Sequence, residues 1–338
     1  MDELSIFGGL TACTLLLFGL VGVAPAAAQD DTPGYDLIPG EMYRMPTHFG
    51  PATGPRRGPH GIKFENEDAP TSTSYSVRFL SDRSQLQALL PEGFTVGDEP
   101  VVSVTATYIE EIPWLAGRGY NILGVSIPAR FEGERDRAEG SFLFVLWENF
   151  TDPIITGREE LGFSKIFAEI PPPRVFDGET HLRASWDGFE FLEMNLTEME
   201  EIELQPTAEA AGDDDVARDA DEDADAGEPA VDARQESEVI RGQMHYKYFP
   251  RTPGPDGEWG KADAAYAVIS QAGGSNSRTV ELQRGEGTLR FHRARWEDMP
   301  TQYMIVNAFA DLEVVEWRGA TISTSVGGED LSDQRILR

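Results

Sequence analysis

Short β-type runs recur along most of this chain, with turn-forming residues between them. The runs either alternate apolar and polar positions or are rich in β-branched and aromatic residues, as strands are. They cover residues 75–80, 101–109, 123–127, 141–147, 165–170, 182–191, 244–249, 266–270, 279–282, 288–291, 312–317 and 321–325. Many short strands separated by turns predict an antiparallel sheet or barrel.

Helical pattern is scarce by comparison. One short helix is predicted over residues 84–90, capped by Ser84 or Asp82 and ended before Pro91, and a helical turn over residues 158–161. The predicted fold class is therefore α+β, mainly antiparallel β, with few short helices. Within the run 141–147, alternation predicts Phe142 and Phe144 on one face of a strand and Trp147 on the other.

Acidic side chains far outnumber basic ones. The 338 residues contain 59 Asp+Glu and 28 Lys+Arg, of which four are lysines, and the net charge is -31 at pH 7. Such a chain repels phosphate, so we expect no nucleic-acid partner. Acidic excess with few lysines is typical of halophilic proteins, because molar salt shortens the Debye length to about 3 Å and screens the repulsion. An Arg-rich coding bias combined with one acidic tract is the alternative.

Cysteine and histidine show no metal-binding pattern. Cys13 is the single cysteine, which excludes an intrachain disulfide and a cysteine-based metal cluster. The five histidines are scattered without ligand-like spacing. We therefore expect no metal and no cofactor.

Residues 1–28 resemble a targeting segment. An apolar stretch ends in small residues that suit signal-peptide cleavage after Ala28. The residues before Cys13 also resemble a lipobox, and an uncleaved anchor of about 20 residues is a third option. Asp2 and Glu3 stand where a positive charge is usual. We expect an exported or membrane-anchored protein, with the N-terminus as the membrane tether in the second case.

Composition divides the rest of the chain. Residues 29–72 are rich in Pro and Gly and predict an extended arm. Residues 73–338 predict a single domain, interrupted at 206–238 by an acidic insertion. Dense like charge prevents this insertion from burying enough apolar area to offset its ordering entropy, so it is predicted to be disordered. An acidic docking tail or a cation-binding loop is the alternative.

Lys165 is the candidate nucleophile. Phe163, Ile166 and Phe167 flank it, and desolvation by such neighbours disfavours the ammonium form and frees the amine that attacks carbonyls. The alternative is a lysine whose stem packs on apolar surface while its head reaches water. The carbonyl chemistry requires a dry, uncharged amine, so exposure of the amine to solvent, or a contact with a carboxylate, would argue against it.

The order of several short motifs resembles the acetoacetate decarboxylase family. They are Ser81-Asp82, Leu90-Pro91-Glu92-Gly93-Phe94, Asp98-Glu99-Pro100-Val101-Val102, Tyr120, Pro128, Phe131, Gly133, Glu148-Asn149, Asp152-Pro153 and Gly157-Arg158-Glu159. The likeness covers residues 60–200 well and continues weakly after the acidic insertion. It implies a barrel- or cone-shaped β fold, a homo-oligomer and a small keto-acid substrate, and it places Lys165 where the family keeps its Schiff-base lysine.

The chain departs from the family pattern around this lysine. Ile166 replaces a second lysine, and Thr105 and Ile122 stand where two acidic residues are usual. The family's arginine before the first strand aligns near Ser72. The resemblance therefore implies that the groups positioning the substrate carboxylate and handling protons are altered or moved.

Other polar residues are candidates for the missing roles. Arg118, Tyr120 and Glu111 are the predicted substrate-binding residues, and Glu110 and Arg78 are further candidates. A surface charge or a turn residue is the alternative for each. Arg158 and Glu159 are expected to brace the turn that presents Lys165.

Three function classes follow. The first is a Schiff-base lyase acting on a β-keto acid or related keto acid, either as a decarboxylase or as an aldolase or dehydratase. The second is a non-catalytic small-molecule-binding protein on the same fold, which export would favour. The third is a structural surface protein, supported by the acidic insertion and the N-terminal segment.

Overall fold

The computed structural model describes residues 36–204, 239–254, 257–271, 276–328 and 333–338. The chain forms two units, Met1–Glu41 and Met42–Arg338. In the first unit, described for residues 36–41, the Glu41 N–H donates to Ile38 O at 3.2 Å. The predicted targeting segment 1–28 and acidic insertion 206–238 lie outside the described residues. No helix in the described part of the chain is long and apolar enough to cross a membrane.

A single sheet of 14 strands forms the framework of the second unit. Its strands are β1 (Thr71–Leu80), β2 (Phe94–Val96), β3 (Val101–Ile112), β4 (Arg118–Glu132), β5 (Arg137–Glu148), β6 (Lys165–Phe167), β7 (Arg174–Phe176), β8 (Glu179–Trp186), β9 (Phe189–Glu201), β10 (Val239–Pro250), β11 (Ala262–Gln271), β12 (Arg278–Phe291), β13 (Glu316–Val326) and β14 (Arg335–Ile336). The spatial order is β14-β11-β10-β5-β4-β3-β1-β13-β12-β9-β8-β7, with β2 on β4 and β6 on β5. This path is open, since no pairing among the described residues joins β14 to β7. The prediction of a mainly antiparallel β fold is confirmed.

The helices are few and short: α1 (Arg83–Gln87), α2 (Thr151–Thr156) and α3 (Tyr303–Ala310), with one π-helical turn at Gly157–Leu161. Asp82 caps α1, its Oδ1 accepting the Gln85 N–H at 2.9 Å. Helix α3 buries Val306 and Phe309 in the core. Helix α1 and the turn over residues 158–161 were predicted from the sequence, whereas α2 and α3 were not.

A bulge in β5 overturns the predicted division of its aromatic residues. Phe142 and Trp147 both belong to the core, and Phe144 and Trp147 both contact the ring of Phe309. The pairing of β4 with β5 shifts between Val125 and Ser126, which inserts an extra residue into β5. An inserted residue inverts the alternation beyond it, so Trp147 turns to the same side as the two phenylalanines.

Strand β5 has two neighbours on one edge. Strand β4 occupies the other edge along the whole of β5. On the shared edge, β10 pairs in parallel with residues 137–142, and β6 pairs in parallel with residues 146–148. Strands β6 and β10 therefore diverge beside residues 143–145, and the features described below lie around this divergence.

Candidate active site

The parallel pairing of β5 and β6 brings Lys165 to Glu148. Lys165 lies opposite Leu146, and residues two apart in a strand share a face. Lys165 and Glu148 consequently point to the same side of the sheet, away from the core that contains Trp147. We call this side the outer face.

The two side chains form a buried ion pair. Lys165 Nζ lies 2.8 Å from Glu148 Oε1, and it donates to Pro153 O at 3.2 Å. Lys165 is 8% exposed and Glu148 0%. Gly157 lies against the lysine, since a Cβ there would come within 2.7 Å of Nζ. Any side chain at position 157 would therefore overlap the side chain of Lys165.

Burial dominates the electrostatics of the pair. It raises the pKa of the Glu148 carboxyl, while the charge of Lys165 acts in the opposite direction. Burial also raises the pKa of the Tyr120 phenol, with a smaller contribution from the Glu148 charge. Glu148 Oε2 is buried and accepts no hydrogen bond from the described residues. Such an oxygen can still accept a proton or a hydrogen bond.

The geometry meets one of the two requirements for a nucleophilic amine. Lys165 is buried, 8% exposed, which is the first of the two alternatives that its flanking residues left open. Its Nζ is nonetheless in contact with a carboxylate, which the sequence analysis took as evidence against carbonyl chemistry. The pair supports such chemistry only in the state in which the carboxyl holds the shared proton.

Thr105 and Ile122, where the resemblance implies acidic residues, lie on the same face of the sheet as this pair. Ile122 pairs directly with Glu148, and Thr107 pairs with Ile122. Thr105 therefore shares the outer face with Ile122, Glu148 and Lys165. The carboxylate on this face comes from β5, one strand away from the Ile122 position. Glu148 was part of a matched motif, but its role became visible only through the register of β5 and β6.

The predicted substrate-binding residues are dispersed. Tyr120 lies on β4, two residues from Ile122, and so projects to the outer face. Arg118 and Glu111 are exposed at the end of the β3–β4 hairpin, where Arg118 Nη1 donates to Leu115 O at 3.1 Å. Arg118 lies about 13 Å from Ile122 along the strand, at about 3.3 Å per residue. These assignments stay predictions.

The remaining candidates occupy other positions. Glu110 and Arg78 are exposed, and Arg78 Nη2 lies 3.5 Å from Arg318 O. Arg158 Nη1 donates to Lys165 O at 2.7 Å, which fits the predicted bracing role. Glu159 contributes its main-chain oxygen, which accepts from Lys247 Nζ at 3.3 Å.

His245 lies near the site and was not singled out from the sequence. Its ring is buried and stacks on Phe163 with centroids 4.1 Å apart. Nε2 lies 3.1 Å from Leu161 O, and because a carbonyl oxygen can only accept, Nε2 carries the proton. Burial lowers the pKa of His245 to about 4, and the charges of Lys247 and Lys165 contribute.

Lys247 is a second lysine beside the site. Met244 is buried in the core, so alternation along β10 turns His245 and Lys247 to the outer face. Its Nζ donates to Glu160 O at 3.1 Å as well as to Glu159 O. Burial lowers the pKa of Lys247, followed by the charge of Arg56. Gly162 lies under its stem, since a Cβ there would come within 2.6 Å of Lys247 Cβ.

The Pro/Gly-rich arm is tied to the same loop. The Glu160 carboxylate, 3% exposed, pairs with both Arg44 and Arg56. The π-helical turn between α2 and β6 thus contacts the arm through the Glu160 side chain and Lys247 through two main-chain oxygens.

An apolar cavity of about 420 Å³ opens where β6 and β10 diverge. Its walls include Phe144, Ile166, Tyr246 and Phe309, and Arg158 and Lys247 also line it. Lys165 does not line it. The position of the missing second lysine, Ile166, thus faces an apolar cavity.

One group of side chains elsewhere could hold a cation, which sequence spacing did not indicate. Glu190, Glu193 and His292 place one ligand atom each within 4.8 Å of one another. All three are partly exposed, and Arg183 Nη1 lies 3.8 Å from Glu190 Oε2.

Comparison with known proteins gives one family and several fold relatives. The family model described as "Acetoacetate decarboxylase (ADC)" matches residues 44–326. No curated protein matches the chain significantly.

Similar solved structures include the enduracididine biosynthesis enzyme MppR, complexed with the condensation product of pyruvate and imidazole 4-carboxaldehyde (16% identity, TM-score 0.51, covering 80% of this chain and 89% of that one). An acetoacetate decarboxylase is similar at 14% identity and TM-score 0.50, covering 80% and 89%. An acetoacetate decarboxylase-like enzyme from Sphingomonas wittichii RW1 is similar at 20% identity and TM-score 0.50, covering 80% and 94%. At these identities the structural likeness concerns the fold alone.

Proposed function

The chain belongs to the acetoacetate decarboxylase family, and on that premise we propose that it is a lyase in which Lys165 forms a Schiff base with a β-keto acid or a related keto acid. The observation that carries the proposal is a buried site that holds Lys165, 8% exposed, beside Glu148, 0% exposed. It joins the amine of the family position to a group able to move protons.

The reaction requires the shared proton to reside on Glu148. An ammonium held by a carboxylate has no lone pair, and a lysine of ordinary pKa, near ~10.4, is almost wholly protonated at pH 7. Burial raises the pKa of Glu148 and so favours its protonated carboxyl form. The neutral pair, with the proton on the carboxyl, is the reactive form in this proposal.

Glu148 then serves as the acid and base of Schiff-base formation. Nζ attacks the keto carbon, Glu148 relays a proton from nitrogen to oxygen, and its own carboxyl proton lets that oxygen leave as water. The iminium accepts the electron pair of the breaking C–C bond as carbon dioxide departs. The resulting enamine takes a proton from solvent at carbon, and water hydrolyses the new iminium, which frees the lysine and returns a proton to Glu148. In an aldolase, the iminium loses a proton from the adjacent carbon instead of carbon dioxide, and the enamine carbon then attacks an aldehyde.

Borohydride trapping tests this role directly. Wild-type protein is incubated with acetoacetate or pyruvate in molar KCl, reduced, and digested for mass spectrometry. We expect an adduct on the Lys165 peptide, no adduct in Lys165→Met, and an unchanged adduct in Lys261→Met, whose lysine is exposed and paired with Glu258. Folding of each variant is checked by circular dichroism. Absence of any Lys165 adduct in the folded wild type would refute the proposal.

The net charge makes salt a part of the same experiment. A charge of -31 repels an anionic keto acid, and high salt screens that repulsion. We therefore expect trapping to require molar KCl. Equal trapping in dilute buffer would show that local groups overcome the overall field.

Non-catalytic binding is the second candidate, and one observation favours it. The amine of Lys165 is in contact with Glu148, whereas the apolar cavity is lined by other residues. A binding protein would retain its ligand affinity in Lys165→Met, while a Schiff-base enzyme would lose its covalent adduct.

A further inference from the structure

The cavity between β6 and β10 combines an apolar wall with two cations. Phe144 of β5, Ile166 of β6, Tyr246 and Phe249 of β10, and Ile305 and Phe309 of α3 supply most of the apolar surface. Its volume of about 420 Å³ falls in the range of small-molecule sites, roughly 300–1,000 Å³.

The charge of the lining is opposite to that of the chain. Arg158 and Lys247 line the cavity, and none of the described residues around it is acidic. In a chain of net charge -31, a cavity with two cations and no lining carboxylate is a local site for an anion. The apolar walls strengthen the attraction, because charges interact more strongly in a low-dielectric surrounding.

Lys247 has hydrogen-bonding capacity that its neighbours leave unused. Its two hydrogen bonds go to the main-chain oxygens of Glu159 and Glu160, and no carboxylate among the described residues forms an ion pair with it. An ammonium has three N–H donors, so one remains. Burial and then the charge of Arg56 disfavour the ammonium, while the charge of Glu160 and the ring of Phe249, 5.3 Å from Nζ, favour it. Burial is the largest of these contributions to the pKa, and a bound anion would offset it.

Arg158 has donors to spare as well. One of its five N–H groups serves Lys165 O at 2.7 Å. The others allow a second hydrogen bond to an anion that Lys247 holds. The carboxylate of a ligand would thus lie at the cationic side, with its apolar body between β5, β10 and α3.

We propose that this cavity binds an amphipathic monocarboxylate, whose carboxylate is held by Lys247 and Arg158 and whose hydrocarbon part packs on the apolar walls. The site is distinct from the Lys165–Glu148 pair and does not depend on Schiff-base chemistry.

Calorimetric titration with octanoate and octanol tests the proposal, with all proteins in the same molar KCl. We expect wild type to bind octanoate more tightly than octanol. Lys247→Met should weaken octanoate about tenfold or more, the loss of one charge-assisted hydrogen bond, and leave octanol unchanged. Lys247→Arg should restore most of the octanoate affinity, and Ala308→Phe, which fills the cavity, should abolish binding of both. Lys261→Met is the matched control for charge.

Three results would overturn the proposal. They are no octanoate binding by the folded wild type, equal affinity for octanoate and octanol, and octanoate affinity unaffected by Lys247→Met. Failure of the Schiff-base function is separate, because Lys165→Met should abolish borohydride trapping while leaving octanoate affinity unchanged. Loss of octanoate binding in folded Lys165→Met would contradict the separation of the two sites.

Discussion

Lys165 and Lys247 lie on the same face of the sheet and differ in the partner of the amine. Each stem lies against a glycine of the same loop, Gly157 for Lys165 and Gly162 for Lys247. Lys165 is matched by the Glu148 carboxylate at 2.8 Å. Lys247 has two main-chain oxygens and an apolar cavity. Burial alone therefore does not determine the role of a lysine. Lys165 can share a proton with the carboxylate beside it, whereas Lys247 has no paired carboxylate among the described residues and can bind a ligand.

The largest effect is expected from breaking the buried pair. Lys165→Met leaves the Glu148 carboxylate, 0% exposed, without its cation, which should lower the free energy of unfolding by about 3–5 kcal/mol. Urea unfolding in molar KCl measures the change. The double variant Lys165→Met/Glu148→Gln should recover a large part of it, because no charge is then buried. A double variant no more stable than the single one would show that the contact is not an ion pair.

The next largest effect is expected from His245, whose pKa is lowered by burial and in part by the charges of Lys247 and Lys165. Its pKa is lowered to about 4 from an ordinary 6.5. Between these values the unfolded chain binds a proton that the folded chain does not, so stability falls as pH drops from 6.5 to 4. The total loss should be roughly 3 kcal/mol, all of it present as stability above pH 6.5.

His245→Phe isolates this contribution from the general acid unfolding of a carboxylate-rich protein. The variant keeps an aromatic ring beside Phe163 and removes the titratable group. The free energy of unfolding of wild type, minus that of the variant, should therefore decrease as pH drops from 6.5 to 4. His181→Gln, at an exposed histidine, should follow the wild-type profile. Parallel profiles for wild type and His245→Phe would contradict the assigned neutral ring.

A smaller effect is expected where the arm meets the loop that carries both glycines. Glu160→Gln should lower stability by about 2 kcal/mol, because its charge-assisted hydrogen bonds to Arg44 and Arg56 are weakened. Cleavage by trypsin after Arg56 should become faster. Glu159→Gln is the matched control. Equal cleavage of both variants would show that the arm is held by other contacts.

The strands and the start of α1 could be predicted from the sequence, but the contacts of Lys165 and Lys247 could not. Local alternation predicted the antiparallel strands, and the Asp82 cap predicted the start of α1. The bulge in β5 could not be predicted, because an inserted residue leaves no trace in the alternation before it. It reversed the expected face of Trp147.

The candidate site shows the same limit. The flanking apolar residues left open whether Lys165 is buried or reaches water, and its contact with Glu148 depends on a parallel register between β5 and β6. Lys247 and His245 come from β10, beyond the acidic insertion, and pack on the loop through long-range pairing. The apolar groups of the cavity beside Lys247 come from β5, β6 and α3 as well as from β10.

The smallest effect should come from Lys247 itself. Lys247→Met removes an ammonium that burial disfavours and that forms no described ion pair, so the lost hydrogen bonds to Glu159 O and Glu160 O are offset by relief of that cost. We expect a stability change of about 1 kcal/mol or less, measured by urea unfolding beside Lys165→Met and the exposed control Lys261→Met. A loss as large as that of Lys165→Met would mean that Lys247 has a structural role equal to that of the buried pair. A small loss, combined with weakened octanoate binding, would mean that this lysine contributes to ligand binding more than to folding.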